Sequence, residues 1–308
     1  MRIVLGLDGS NASLIALDLV TATNWPANTT IRLVRAVELP TGEAAIPRSP
    51  SDADGDDDQQ RTLFDEVQRL SEPLRRQGHA TETVVARGRA ADVLLAEAAD
   101  LSADLIVVGN RGLGATASAL LGSVSATLVD HAACPVLVVR GPRISRILVA
   151  TDGSQSAEAI PAVFAAWDVF RDVPIDVLCV APPTRRRNGT AFLPEVLGGP
   201  PLSEGFHEVD RHRVMADEMA AALVAAGWRA ASSVRNGEPA REIETAAAHL
   251  GADLIITGSR GLSGLQLLLM GSVAHHVLLH SRSSVLVMRG HVPAHQQHRP
   301  GEPAAVAV

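Results

Sequence analysis

Ile3-Val4-Leu5-Gly6-Leu7-Asp8-Gly9-Ser10 returns later in the chain as Ile147-Leu148-Val149-Ala150-Thr151-Asp152-Gly153-Ser154. Each copy is a continuous apolar run closed by Asp-Gly-Ser. Such a run, without polar alternation, indicates a strand buried on both faces. Two further segments repeat. Ala103-Asp104-Leu105-Ile106-Val107-Val108-Gly109 returns as Ala252-Asp253-Leu254-Ile255-Ile256-Thr257-Gly258. Pro135-Val136-Leu137-Val138-Val139-Arg140 returns, less closely, as Ser284-Val285-Leu286-Val287-Met288-Arg289. The offset is 144 positions from Asp8 to Asp152 and 149 from Gly109 to Gly258. A repeat of that length is too long for a solenoid unit and marks a duplicated domain.

The division this implies is a first domain over residues 1–141, a second over 144–290, and a flexible tail over 291–308. The join, Gly141-Pro142-Arg143, spans at most about 11 Å, so the halves must lie against each other. Within the first half the pattern predicts strands at 3–8, 31–37, 81–86, 104–109 and 135–140. Helices are expected at 12–22, 60–77, 90–100 and 123–131. Alternating strands and helices imply right-handed crossovers and a parallel sheet. The expected fold is therefore α/β: two tandem, doubly wound, open parallel five-stranded sheets with flanking helices. In such sheets ligands bind beyond the carboxyl ends of the strands, at the switch point. The apolar fifth strands, 135–140 and 284–289, are candidates to pair with each other as edge strands do.

The 308 residues are 46% hydrophobic and 20% charged, the balance of a soluble globular protein. Aromatics make up 3% and Tyr is absent, so the core must be Ala, Val, Leu and Ile. A net charge of -7 argues against a nucleic-acid partner, whose phosphates need a basic surface. No apolar run is long enough to span a bilayer, and a strand starting at Met1-Arg2-Ile3 leaves no room for a signal peptide. The expectation is a cytoplasmic chain without membrane association. Cys134 and Cys179 fall in or beside apolar strands and read as buried small side chains.

The chemistry sits in a glycine set with identical spacing in both copies: Gly109-x2-Gly112-x9-Gly122-Ser123 and Gly258-x2-Gly261-x9-Gly271-Ser272. The first glycine follows the fourth strand and the last opens the next helix. A polyphosphate needs backbone N–H groups close to its oxygens, with no Cβ in the way. A helix start supplies unpaired N–H groups and the positive end of the dipole. Ser123 and Ser272 suit the N-cap. The spacing matches neither the GxxxxGK[ST] loop nor the GxGxxG turn. Asp8 and Asp152, ending the first strands, can hold ribose hydroxyls or nucleotide-bound Mg²⁺.

These residues resemble a tandem universal stress protein of actinobacterial type over about residues 1–290. Both copies match the family's G-2x-G-9x-G-(S/T) ATP loop in full, and His131-x-x-Cys134-Pro135-Val136-Leu137-Val138-Val139-Arg140 is similar to the family's last strand. The resemblance implies a Rossmann-like fold of the adenine-nucleotide α-hydrolase type and one ATP, with Mg²⁺, per domain. It places the ATP on Gly6, Leu7 and Asp8 and on Ala150, Thr151 and Asp152. Ala36 and Val180 would enclose adenine, with Val108 and Thr257 lining the same pocket. Phosphate would lie on Gly109, Gly112, Gly122 and Ser123, and on Gly258, Gly261, Gly271 and Ser272. Val124-Ser125 and Val273-Ala274 would complete the contact. Ala274 lacks the hydroxyl of Ser125, which weakens the second site. Arg111 and Arg260, inside the loop, can meet phosphate or face solvent. The resemblance also implies a homodimer, with the two domains of one chain paired and a protein partner of unknown identity.

Other features carry less. The acidic run Ser51-Asp52-Ala53-Asp54-Gly55-Asp56-Asp57-Asp58 fails the calcium-loop pattern at its sixth and twelfth positions and reads as a solvated loop. His291, His295 and His298 lie in a Pro- and Gln-rich tail unsuited to fixed metal geometry, and His275 and His276 read as helix-surface residues. No nucleophile or general base recurs near the glycine loops, so the expectation is no catalytic residue. The expected function is a non-enzymatic, ATP-binding regulator of stress response or growth. The alternatives are a slow ATPase or nucleotidyl-transfer enzyme, and a scaffold with vestigial sites.

Overall fold

The computed structural model describes residues 1–38, 51–112, 121–183, 203–259 and 270–289. The first half runs β1 (Arg2–Gly6), α1 (Asn11–Ala22), β2 (Thr30–Val37), α2 (Ser51–Arg76), β3 (Ala80–Arg87), α3 (Ala90–Leu101), β4 (Leu105–Gly109), α4 (Ser123–His131) and β5 (Val136–Val139). The second runs β6 (Ile147–Thr151), α5 (Gln155–Glu158), α6 (Ile160–Trp167), β7 (Ile175–Ala181), α7 (Ser203–Ala225), β8 (Ala230–Asn236), α8 (Pro239–Leu250), β9 (Leu254–Gly258), α9 (Ser272–His280) and β10 (Ser284–Met288). The tail from residue 290 lies outside the described residues.

Each half is doubly wound and parallel, as the repeat predicts, and the two sheets form one. The strand order is β3-β2-β1-β4-β5-β10-β9-β6-β7-β8. At the centre β5 and β10 pair antiparallel, with Val138 opposite Val285, Leu137 opposite Leu286 and Val136 opposite Val287. Alternate residues of each strand feed opposite faces. Ile3, Leu5, Val107, Leu137, Leu286 and Ile256 belong to one core cluster. Val4, Ile106, Val136, Val138, Val285 and Ile255 belong to the other. Both cores therefore run without a break across the join between the halves.

Two arginines fasten that join reciprocally. Arg140, just past β5, donates to the backbone carbonyls of Leu278, in the last turn of α9, and Ser283. Arg289, just past β10, donates to the carbonyl of Val129 in the last turn of α4. A helix ends in unpaired carbonyls and a partial negative charge, which a guanidinium satisfies in both respects.

Local differences from the sequence reading have physical causes. The acidic stretch expected to be a loop over residues 51–58 is the start of α2, which begins at Ser51 instead of residue 60. Negative residues suit a helix start, where the dipole favours them. In the second half the first helix is divided: α5 ends at Glu158 and α6 restarts at Ile160 with Pro161 in its first turn. Proline has no N–H to continue the earlier helix and is well tolerated at a new start. Among the described residues no helix is long and apolar enough to cross a membrane.

Both cysteines are buried and unpaired with each other. Burial, the largest cause, pushes the Cys134 thiol up to about 12 and the Cys179 thiol up to about 11. At pH 8 both thiols are then held in the protonated, unreactive form. The folded chain is expected to resist iodoacetamide at pH 8 and to take up two labels per chain only after denaturation, read by intact mass. Rapid labelling of native protein would contradict the burial of these groups.

Candidate functional site

At the carboxyl ends of the first half's strands lies a cavity of about 620 Å³. It sits where the chain crosses from the β2 side of β1 to the β4 side, the position expected of a ligand crevice. Every candidate of the first half lines it. Gly6, Leu7 and Asp8 come from the end of β1, and Ala36 from β2. Val108 and Gly109 come from the end of β4, with Arg111 and Gly112 just after it, and Gly122, Ser123, Val124 and Ser125 from the start of α4. The sequence reading missed Val34, Leu94 and Ala90, which add an apolar wall, and Ser13, Arg35, Glu38 and Leu121, which complete the lining. Leu94 and Ala90 arrive on α3, and nothing in the repeated motifs points to that helix.

The details move one assignment and add a packing role to two others. The N-caps of α4 and α9 are Gly122 and Gly271, and Ser123 and Ser272 are the first helical residues. Gly122 N–H donates to the Asn110 carbonyl and Gly271 N–H to the Ser259 carbonyl, each at 2.8 Å. The loop ends are thus pinned identically in both halves. The N–H groups of Ser123, Val124 and Ser125 follow at the open start of α4, which no side chain caps among the described residues.

Second, Gly109 is required by packing. A Cβ there would stand 2.6 Å from the Ala12 carbonyl carbon and 2.7 Å from its oxygen, inside α1. At Gly258 it would run into the Ser156 hydroxyl. Gly112 is different: its Cβ would lie 2.7 Å from Asp8 Oδ2, so the glycine leaves that carboxylate room. Gly122 has no such neighbour among the described residues, where its nearest atoms would be 3.4 Å away.

Third, the Ser125 hydroxyl is engaged. It is buried and donates to the Gly109 carbonyl at 2.8 Å, tying β4 to α4. Ala274 cannot do this in the second half. There Thr257, in the place of Val108, directs its hydroxyl to the Gly258 carbonyl at 3.3 Å.

Asp8 and Asp152 share one geometry. Oδ1 accepts the N–H of Ser10 at 2.9 Å in the first half, and that of Ser154 at 3.0 Å in the second. Arg111 brings positive charge to the cavity, and its buried Nε finds no hydrogen-bond partner among the described residues. Burial, helped by the nearby Arg111 charge, pulls the Arg140 guanidinium down to about 10.

In the second half Ala150, Thr151 and Asp152 end β6, Val180 lies on β7, Thr257 and Gly258 end β9, and Gly271, Ser272, Val273 and Ala274 open α9. Their placement repeats that of the first half. Arg260 and Gly261 lie outside the described residues.

Two doubly wound halves, each with a glycine-capped helix following its fourth strand, define a tandem α/β protein. The sequence model of the universal stress protein family matches the chain twice, at residues 1–140 and 143–289, and the chain belongs to that family. A universal stress protein of Mycobacterium bovis is 32% identical over 201 residues, covering 61% of this chain and 62% of that protein. In that match the chain spans less than two thirds of its relative's length. One from Mycobacterium tuberculosis is 28% identical over 309 aligned residues, covering 94% of this chain and 96% of the relative. Among solved structures, a universal stress protein from Archaeoglobus fulgidus shares the fold with a TM-score of 0.65 at 18% identity, over 94% of this chain and 98% of that one.

Proposed function

We propose that each half binds one molecule of ATP, with Mg²⁺, in its crevice, and that occupancy biases the chain's conformation or partners without turnover. The observation that carries this reading is the gathering of all first-half candidates around one cavity of about 620 Å³, within the range of small-molecule sites. Its surface suits the parts of a nucleotide. Val34, Ala36, Leu94 and Val108 offer an aliphatic slot for a base. Asp8 is a hard oxygen donor for ribose hydroxyls or for Mg²⁺. The open start of α4 and the Arg111 charge suit phosphate. Bound nucleotide would place negative charge beside Arg111. A role in stress or growth regulation comes with the family.

Calorimetry of pure protein with ATP and Mg²⁺ is expected to settle at two ATP per chain, because both halves keep the Asp turn and the pinned glycine cap. A value of one would confine binding to a single half. Bound, intact nucleotide after long incubation fits a regulator. Sustained product formation would replace it with a slow ATPase, and absence of binding with a scaffold. Native mass spectrometry reads copurified nucleotide and any dimer of chains, which belongs to the same reading, in one measurement.

A further inference from the structure

Away from the crevices, α8 and α9 bring three metal-binding side chains together. Glu244 stands on α8, and His276 and His280 stand one turn apart on α9, on the same face. One ligand atom from each lies within 4.8 Å of the others. The His276 and His280 rings stack with centroids 4.2 Å apart. His276 Nε2 is 3.6 Å from Glu244 Oε1, a buried oxygen that accepts no hydrogen bond among the described residues. His280 Nδ1 lies 3.0 Å from the His276 carbonyl. A carbonyl only accepts, so Nδ1 holds a hydrogen, and in the neutral ring Nε2 is the nitrogen left to bind a metal. Orientation of the remote ring nitrogen by a carbonyl is the arrangement found behind metal-ligating histidines.

The two halves act as an internal comparison. At the offset that separates Gly109 from Gly258, the first half carries Leu95, Thr127 and His131 in these places. His131 Nδ1 makes the matching contact, to the Thr127 carbonyl at 2.9 Å. The terminal histidine and its tautomer thus belong to the common fold. Glu244 and His276 do not, since the first half builds the same helix pair without either.

We propose that Glu244, His276 and His280 bind a divalent transition-metal ion of the zinc class. Two imidazoles and one carboxylate suit zinc and its neighbours, and not the all-oxygen preference of Mg²⁺ or Ca²⁺. A tetrahedral zinc centre places its ligand atoms about 3.4 Å apart. The Glu244–His276 pair is already near that spacing, and side-chain torsions of His280 close the remainder. The fourth position stays open to water. The bound ion ties the end of α9 to α8 across the outer face of the second half. Nothing in this site depends on nucleotide.

The test is calorimetric titration of chelator-treated, full-length protein with Zn²⁺, without nucleotide, with Co²⁺ as a second probe read by its visible absorption. Glu244→Gln, His276→Ala and His280→Gln are each expected to lose one metal per chain, or to weaken it at least tenfold, and to lose the tetrahedral Co²⁺ band. His131→Ala is the matched control and keeps both. Circular dichroism and the cysteine-protection assay establish that each variant is folded. The histidines of the tail can add weaker binding, which the site variants leave in place. Equal stoichiometry and affinity in parent and site variants, or no uptake by the parent at millimolar zinc, would overturn the site and leave the cluster as a His276–Glu244 ion pair beside a stacked ring.

Discussion

Changing Gly122 and Gly271 together to glutamate is expected to cut ATP affinity about tenfold to a thousandfold at each site while the chain stays folded. The fold survives because Gly122 has φ -77° and ψ 150°, which any residue adopts, and among the described residues a Cβ there meets nothing closer than 3.4 Å. Gly271 has the same extended backbone, φ -63° and ψ 149°. Losing an N-cap residue costs a helix about 0.5–2 kcal/mol, which a sheet of this size withstands. The effect on ligand is larger. A carboxylate at the mouth of α4 puts like charge beside the phosphates. At about 4 Å the repulsion is roughly 1 kcal/mol in water and about 4 kcal/mol at an effective dielectric of 20. Each 1.4 kcal/mol is about a factor of ten. Gly141→Glu is the control, at a glycine with open space around it. A double variant that is folded by circular dichroism yet binds ATP like the parent would reduce the glycine caps to structural turns and end the nucleotide reading.

Gly109→Ala is expected to do the reverse, damaging the fold first. Its methyl would penetrate the backbone of α1 at Ala12, which cannot rotate away. Overpacking of this kind costs about 3 kcal/mol, toward the upper end of the usual range. For a chain of this size that is a fall in Tm of about 5 °C. Gly258→Ala should cost less, because its first obstacle is the Ser156 hydroxyl, the end of a side chain with rotamers to spare. Gly122→Ala should be the mildest of the three. Urea denaturation of these three variants gives the ranking. If Gly109→Ala proves as stable as the parent, α1 does not pack against the end of β4 as described.

That ranking departs from what the motif alone suggests. Identical spacing makes all the glycines look like phosphate glycines, and the motif cannot say which are short of room because of a helix. The contact between Gly109 and Ala12 joins residues far apart in the chain, and no local pattern encodes it. The architecture was legible because it rests on local signals repeated twice: unbroken aliphatic strands, Asp-Gly-Ser turns, and glycines at helix starts. The cap was misplaced by one residue because Gly and Ser both suit the position. The helix over 51–58 was hidden by an acidic, glycine-containing run that also fits a loop. Leu94 in the cavity and the Glu244–His276–His280 cluster escaped notice for one shared reason. Each depends on which helix lies beside which strand or helix, and that is known only once the sheet is assembled.

The antiparallel pairing of β5 with β10 has a consequence for how the two halves can diverge. When two identical chains pair by the same edge, every substitution is made twice, once on each side of the axis, and must be compatible with its own image. Here each side of the seam is separately encoded. Val136 can change without changing Val287, and Arg140 can be tuned to α9 without altering what Arg289 does for α4. Pairing is also intramolecular, so dilution does not undo it: the linker holds one edge at high effective concentration beside the other. A scarce protein keeps its full sheet at any abundance. One half is then free to specialise while the other preserves the common plan. The replacement of Ser125 by Ala274 at one crevice, and of Leu95 and Thr127 by Glu244 and His276 on one outer face, are the kind of asymmetry that such a covalent pair permits and a symmetric one forbids.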